Sequence, residues 1–143
     1  MDNAARLRAW LMDCPPIAAS PGIFGADYLP DGPGGYTLNA TPSALKYREN
    51  ILEEIMPQSN QEQLFVLAAR MDYGADAVAN LANLETFRII FAWIMEKNNA
   101  RELPEWSGGR LTAILPTLTA YPISMGTDAA RYQIQLKALY KVG

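Results

Sequence analysis

The sequence predicts an α+β fold, a single domain over residues 1–143 in which helices pack on the apolar face of an antiparallel β-sheet. Three observations carry this expectation. From Arg131 onward apolar and polar residues alternate with a period of two, residues 76–97 repeat apolar residues at three- and four-residue intervals, and the composition suits one core. With 143 residues, 50% hydrophobic and 19% charged, the chain is too apolar for disorder and long enough to bury roughly two thirds of its unfolded surface.

The first element is a short helix over residues 3–13. Leu7, Trp10, Leu11 and Cys14 share one helical face, and Pro15 and Pro16 forbid continuation. Residues 21–42 alternate turn residues with aromatic fragments. Ile23-Phe24 and Tyr28-Leu29 precede the cluster at residues 30–35, and Tyr36-Thr37-Leu38 follows it, which reads as two short strands around a loose turn.

Next come two apolar runs, Ile51, Leu52, Ile55 and Met56 in residues 50–56, then residues 63–70. The polar stretch 57–60 between them suggests a hairpin, although Leu64, Leu67, Ala68 and Met71 also fit helical spacing. The clearest helix covers residues 76–97, with Val78, Leu81, Leu84, Phe87, Phe91, Ile94 and Met95 toward one side. Asp76 is its candidate N-cap, residues 97–99 its exit, and a break near Asn83 is compatible with the pattern.

A loop at residues 103–109 leads to the last pair of strands. On the final strand Tyr132, Ile134, Leu136, Ala138 and Tyr140 form the apolar face, while Arg131, Gln133, Gln135, Lys137 and Lys141 form the wet one; Leu139 alone breaks the pattern. Its antiparallel partner is residues 111–121, across a turn at 125–128, with Pro116 at a bulge or a sheet edge.

Composition excludes much chemistry. The chain has no histidine, so it holds neither a Ser-His nor a Cys-His nucleophile pair, nor an imidazole metal site. Cys14 is the only cysteine, which rules out an intrachain disulfide and a cysteine metal cluster; it reads as a small buried hydrophobe. Glu53-Glu54 is a solvated charge pair, and the glycine clusters at 32–35 and 107–110 lack the lysine of a phosphate-binding loop. The expectation is a protein that is not an enzyme and uses no cofactor or metal.

The longest apolar run, residues 89–95, is far too short to cross a bilayer, and the first residues lack a secretory apolar core, which predicts cytoplasmic synthesis. A net charge of −3 argues against broad non-specific attraction to nucleic acid, and no specific nucleic-acid binding is expected. Most of the aromatic residues, Trp93, Tyr132 and Tyr140 among them, sit at core parity. Trp106 is the exception: it lies in a loop beside Pro104 and is read as a docking residue. The candidate subunit or partner interface is therefore Trp106, Arg110, Arg131, Gln133, Gln135 and Lys137. The strand row within it faces a neighbouring subunit, a polar lumen or plain solvent.

Several segments in order resemble the minor capsid and tail-terminator proteins of tailed bacteriophages and prophages. They are residues 7–11, 24–29, 36–38, 63–70 and 80–83, closing with Thr127-Asp128-Ala129-Ala130-Arg131-Tyr132-Gln133-Ile134-Gln135-Leu136. The resemblance implies a tail-terminator type of α+β fold and a hexameric ring at the head-proximal end of the tail. Such a ring stops growth of the tail tube and joins it to the head-tail connector, in a virion assembled in the host cytoplasm. DNA passage through the ring lumen is compatible with this. Residues 50–62 depart from the family, with Glu53-Glu54 and the stretch 57–60 where basic residues and a glycine turn are expected. Alternatives are another neck or head-closure component, a small enzyme, or a cytoplasmic adaptor or ligand-binding module using Trp106 and the loop at 30–35.

Overall fold

The computed structural model describes residues 2–19, 24–26, 35–72, 77–117, 121–125 and 129–142. In chain order the elements are α1 (Asn3–Leu11), α2 (Pro15–Ala18), β1 (Phe24–Ala26), β2 (Gly35–Ala40), β3 (Tyr47–Glu49), β4 (Ile55–Pro57), β5 (Asn60–Asp72), α3 (Ala77–Asn99), β6 (Arg110–Pro116), β7 (Tyr121–Met125) and β8 (Ala129–Lys141). The α+β expectation holds. One sheet has strand order β1-β2-β5-β8-β6 with β7 also on β8; a second, β3–β4, stands apart.

The two long strands organise the main sheet. β5 and β8 run antiparallel over their full length, from Asn60 opposite Lys141 to Asp72 opposite Ala129. The period-two pattern is realised: Tyr132, Ile134, Leu136 and Ala138 are buried, and in register they face Ala69, Leu67, Phe65 and Gln63. β2 continues this face with Tyr36 and Leu38, and β1 joins β2 in parallel, so the sheet is antiparallel except at that edge.

The far side of β8 is shared by two short strands where the sequence suggests one partner. β6 ends at Pro116, whose missing N–H cannot extend a ladder, and β7 then pairs residues 130–133; each strand carries a register shift. Gly109 leads into β6 so close to the Lys141 carbonyl that a Cβ would collide with it.

The helices lie on one face. Leu7 and Leu11 of α1, Ile17 of α2 and Phe87, Ile90 and Ile94 of α3 join a single cluster with Phe65, Leu67, Ile134 and Leu136. Pro15 and Pro16 stop α1 as expected but also open α2, occupying positions where an N–H would be unpaired anyway. Asp2 caps α1 by accepting from the Ala5 N–H at 2.8 Å. The Asn98 amide ties the end of α3 to the sheet edge: it receives the Ile114 N–H at 2.8 Å and donates to the Ile114 carbonyl.

Two expectations are corrected. Residues 50–56 do not pair with 63–70. β4 pairs with β3, while β2 and β8 flank β5 over residues 65–70, leaving no ladder position there for another strand. Ile51 and Leu52 fall in the turn between β3 and β4, not on a strand. α3 runs without a break at Asn83, and its covered stripe is Phe87-Ile90-Ile94; Leu81, Leu84 and Met95 are exposed. Periodicity identifies an apolar stripe but not the length over which the sheet covers it. The predicted Asp76 cap, Tyr28-Leu29, the turn cluster at 31–34 and the 126–128 turn lie outside the described residues.

Candidate interaction surfaces

The strand parity that buries Tyr132, Ile134 and Leu136 sends Arg131, Gln133, Gln135 and Lys137 to the opposite face of the sheet. Their partners on β5 are Arg70, Ala68, Val66 and Leu64. All three helices contribute to the other face, so no described helix covers this one. It is a mixed surface, not a fully wet one. Ala68 and Thr37 are buried, and Leu64, Val66, Leu115 and Leu139 are half-buried among the polar residues.

Its electrostatics are uneven. Arg70 and Arg131 stand directly across from each other in the ladder. The Arg131 Nε is buried with no acceptor among the described residues. Lys137 is balanced by Glu62 at 3.6 Å, and Lys46 reaches the same carboxylate at 4.0 Å.

Trp106 corrects an expectation. It is buried, with Phe65 edge-on at 6.0 Å and Tyr140 at 6.2 Å, so the loop tucks the indole into the core rather than presenting it to a partner. Its Nε1 has no acceptor among the described residues. Trp106 and Arg110 line an open cleft of about 600 Å³ together with Arg6, Arg101 and Glu105, and Arg6 pairs with Glu105 at 3.4 Å across it. Arg110 lies opposite Lys141, at the far end of β8 from Arg131 and on the order of 30 Å away at the rise of a strand. The six candidate residues thus divide into a row of four on the outer face and a separate pair at the cleft.

The surface that the sequence reading missed is the β3–β4 hairpin. Ile51 is 97% exposed, Leu52 73% and Ile55 72%, with Leu45 and Tyr47 exposed at its base. In sequence Arg48 and Glu49 precede the tip and Glu53 and Glu54 follow Ile51 and Leu52, all of them exposed. The arm is nevertheless ordered. The Asn50 side-chain oxygen accepts from the Leu52 and Glu54 N–H groups at 2.9 and 3.0 Å, which supports Glu53 in a left-handed backbone (φ 61°). At the base, buried Gln61 accepts from the Lys46 N–H and donates to the Lys46 and Gln58 carbonyls. A signal existed in the adjacent Ile51-Leu52 beside three acids, since apolar residues off any strand parity have no core to enter.

Cys14 is buried, and burial pushes its thiol up to about 12, outweighing the backbone hydrogen bond at Ile17 that favours the thiolate. Such a thiol stays protonated and unreactive at neutral pH. Among the described residues no group of three or more His, Cys, Asp or Glu is placed to hold a metal ion, and none of their helices is long and apolar enough to cross a membrane.

No protein-family model matches the chain, and no curated protein does. Among solved structures it is similar to a chain from the virion of a native gene transfer agent particle, at 16% identity with a TM-score of 0.49 over 96% of each chain. A second solved chain is 13% identical with a TM-score of 0.43, covering 97% of this chain and 89% of that one. Neither likeness is strong enough to carry a role across.

Proposed function

We propose that this chain is a structural subunit of a tailed-phage type of virion, a tail terminator whose copies close a hexameric ring at the head-proximal end of the tail tube. The ring stops tube growth and presents a surface to the head-tail connector, without catalysis or cofactor. The observation that carries this reading is where the family-like segments fall. Residues 24–26, 36–38, 63–70 and 131–136 form β1, β2, β5 and β8, four strands that lie side by side, so the resemblance concerns one continuous sheet and not scattered fragments.

The physical chemistry is consistent with assembly. A ring needs two unlike surfaces on each subunit, related so that head-to-tail contacts close on themselves. The sheet face that no described helix covers and the exposed hairpin are two unlike surfaces on one chain. The test is to mix the purified protein with purified tail tubes and measure mass by light scattering and tube ends by negative-stain microscopy. Rings capping the tubes are the expected result. A protein that leaves tube ends bare and binds connector rings instead would be a head-closure component, and one that ignores both would overturn the virion role.

A further inference from the structure

β6 is the last strand on its side of the main sheet, and no described strand lies beyond it. A strand in that position turns the N–H and C=O groups of alternate residues outward, and an open row of them invites another chain to pair. Pairing with β8 fixes which residues these are. The Thr117 N–H donates to the Gln135 carbonyl at 2.9 Å, so by alternation Leu115 also faces β8, while Ile114 and Pro116 turn their main chain outward.

Neither residue is open to a new strand. The Ile114 N–H donates to the Asn98 Oδ1 at 2.8 Å, and the Asn98 Nδ2 donates to the Ile114 carbonyl. One amide in the last turn of α3 thus makes both bonds that a residue of a neighbouring strand would make. The same Nδ2 donates to the Ile94 carbonyl one turn back at 3.0 Å, so both hydrogens and the oxygen of the amide are used and its position is fixed. Pro116 has no N–H to offer, and the register shift between Leu111 and Ala113 interrupts the ladder before Ile114 is reached.

We infer that Asn98 seals the edge of β6: it takes the place of a further strand and keeps the sheets of two copies of this chain from joining there. The strand it excludes is β6 of a second copy, running antiparallel about a two-fold axis with Ile114 opposite Ile114, an arrangement in which each main chain supplies the partner that the other lacks. Pro116 weakens the same pairing at both ends, because its ring nitrogen has no proton to donate. The inference does not rest on the ring reading. It constrains that reading, since contacts between subunits then run through surfaces other than main-chain pairing at β6.

The test compares the full-length chain in four forms: unaltered, Pro116→Val, the double variant Asn98→Ala/Pro116→Val, and Phe65→Leu, each checked for folding by circular dichroism. Phe65→Leu weakens the core and leaves the edge closed. Hydrogen exchange at the Ile114 amide is read in dilute and concentrated protein, beside sedimentation velocity. In the unaltered chain and in Pro116→Val the amide should be protected at both concentrations, because Asn98 still holds it. In the double variant it should exchange at least about tenfold faster when dilute. On concentration it should regain protection, together with an association step that the unaltered chain lacks.

A double variant whose Ile114 amide stays unprotected at every concentration overturns the inference, since the opened edge then recruits no strand. The same association in Phe65→Leu also overturns it, by tracing the effect to lost stability. Should the double variant not fold, Asn98→Ala alone is measured in its place, with the same two outcomes. The ring reading fails separately: tube ends left bare by the unaltered chain would remove the ring and leave the seal, whereas capped tubes and an opened edge that pairs with nothing would keep the ring and remove the seal.

Discussion

β8 and the β3–β4 hairpin are both antiparallel β-structure, yet they are stabilised by different means. On β8 Ile134, Leu136 and Ala138 are fully buried, and hydrophobic burial holds the strand between β5 and its two shorter partners. The hairpin buries none of its side chains and depends on polar side chains clasping the backbone, Asn50 at the tip and Gln61 at the base. Regular pairing therefore does not tell where stability lies. The long strands hold the fold, and the arm adds little to the core.

The sharpest way to test this contrast is to remove bulk from the core beside β8. Phe65→Ala should cost about 3–5 kcal/mol, because Phe65 is fully buried against Leu136 and Trp106, read as a lower urea midpoint at an unchanged slope. A smaller loss should follow Asn98→Ala. It strips the Ile114 N–H and carbonyl of their partner at the sheet edge and should cost about 1–3 kcal/mol by the same measurement.

Alkaline pH provides a third test. Burial raises the Cys14 thiol from 9.0 to about 12; burial, with a smaller contribution from Cys14, raises the Tyr36 phenol from 10.0 to about 12. Above pH 9 the unfolded chain gives up protons that the folded chain keeps, so this stabilisation is complete below pH 9 and declines toward pH 12. The loss per group is at most about 1.4 kcal/mol per pH unit. Cys14→Ala should make the decline shallower in denaturation profiles taken across that window.

The arm should respond locally. Asn50→Ala should speed hydrogen exchange at the Leu52 and Glu54 amides with a global cost below about 1 kcal/mol. Ile51→Ser should change stability by no more than about 0.5 kcal/mol. A core-sized loss from Ile51→Ser would erase the contrast drawn between the two regions.

Much of the fold was legible in the residues because local patterns report it. The β8 alternation, the helix ending before Pro15, the run that becomes α3 and the buried Cys14 each follow from a periodicity or a backbone restriction within one segment. The site was only partly legible. Parity placed Arg131, Gln133, Gln135 and Lys137 on one face, but no local rule says that Trp106, in a loop beside a proline, turns inward against Phe65 and Tyr140 from distant strands. The partner of residues 55–57 was misjudged for the same reason, since either apolar neighbour satisfies a hairpin pattern.

The sequence by itself determined the α+β class, the two-faced strand at the C-terminal end, and the lack of histidine chemistry, because residue type and spacing settle these without reference to the rest of the chain. Only the tertiary structure decided the strand order β1-β2-β5-β8-β6, the burial of Trp106 and the projection of Ile51 and Leu52 into solvent. Those depend on which distant segments occupy the edges of β5 and the space above the sheet, and pairing energy between remote segments leaves no periodic trace in either one.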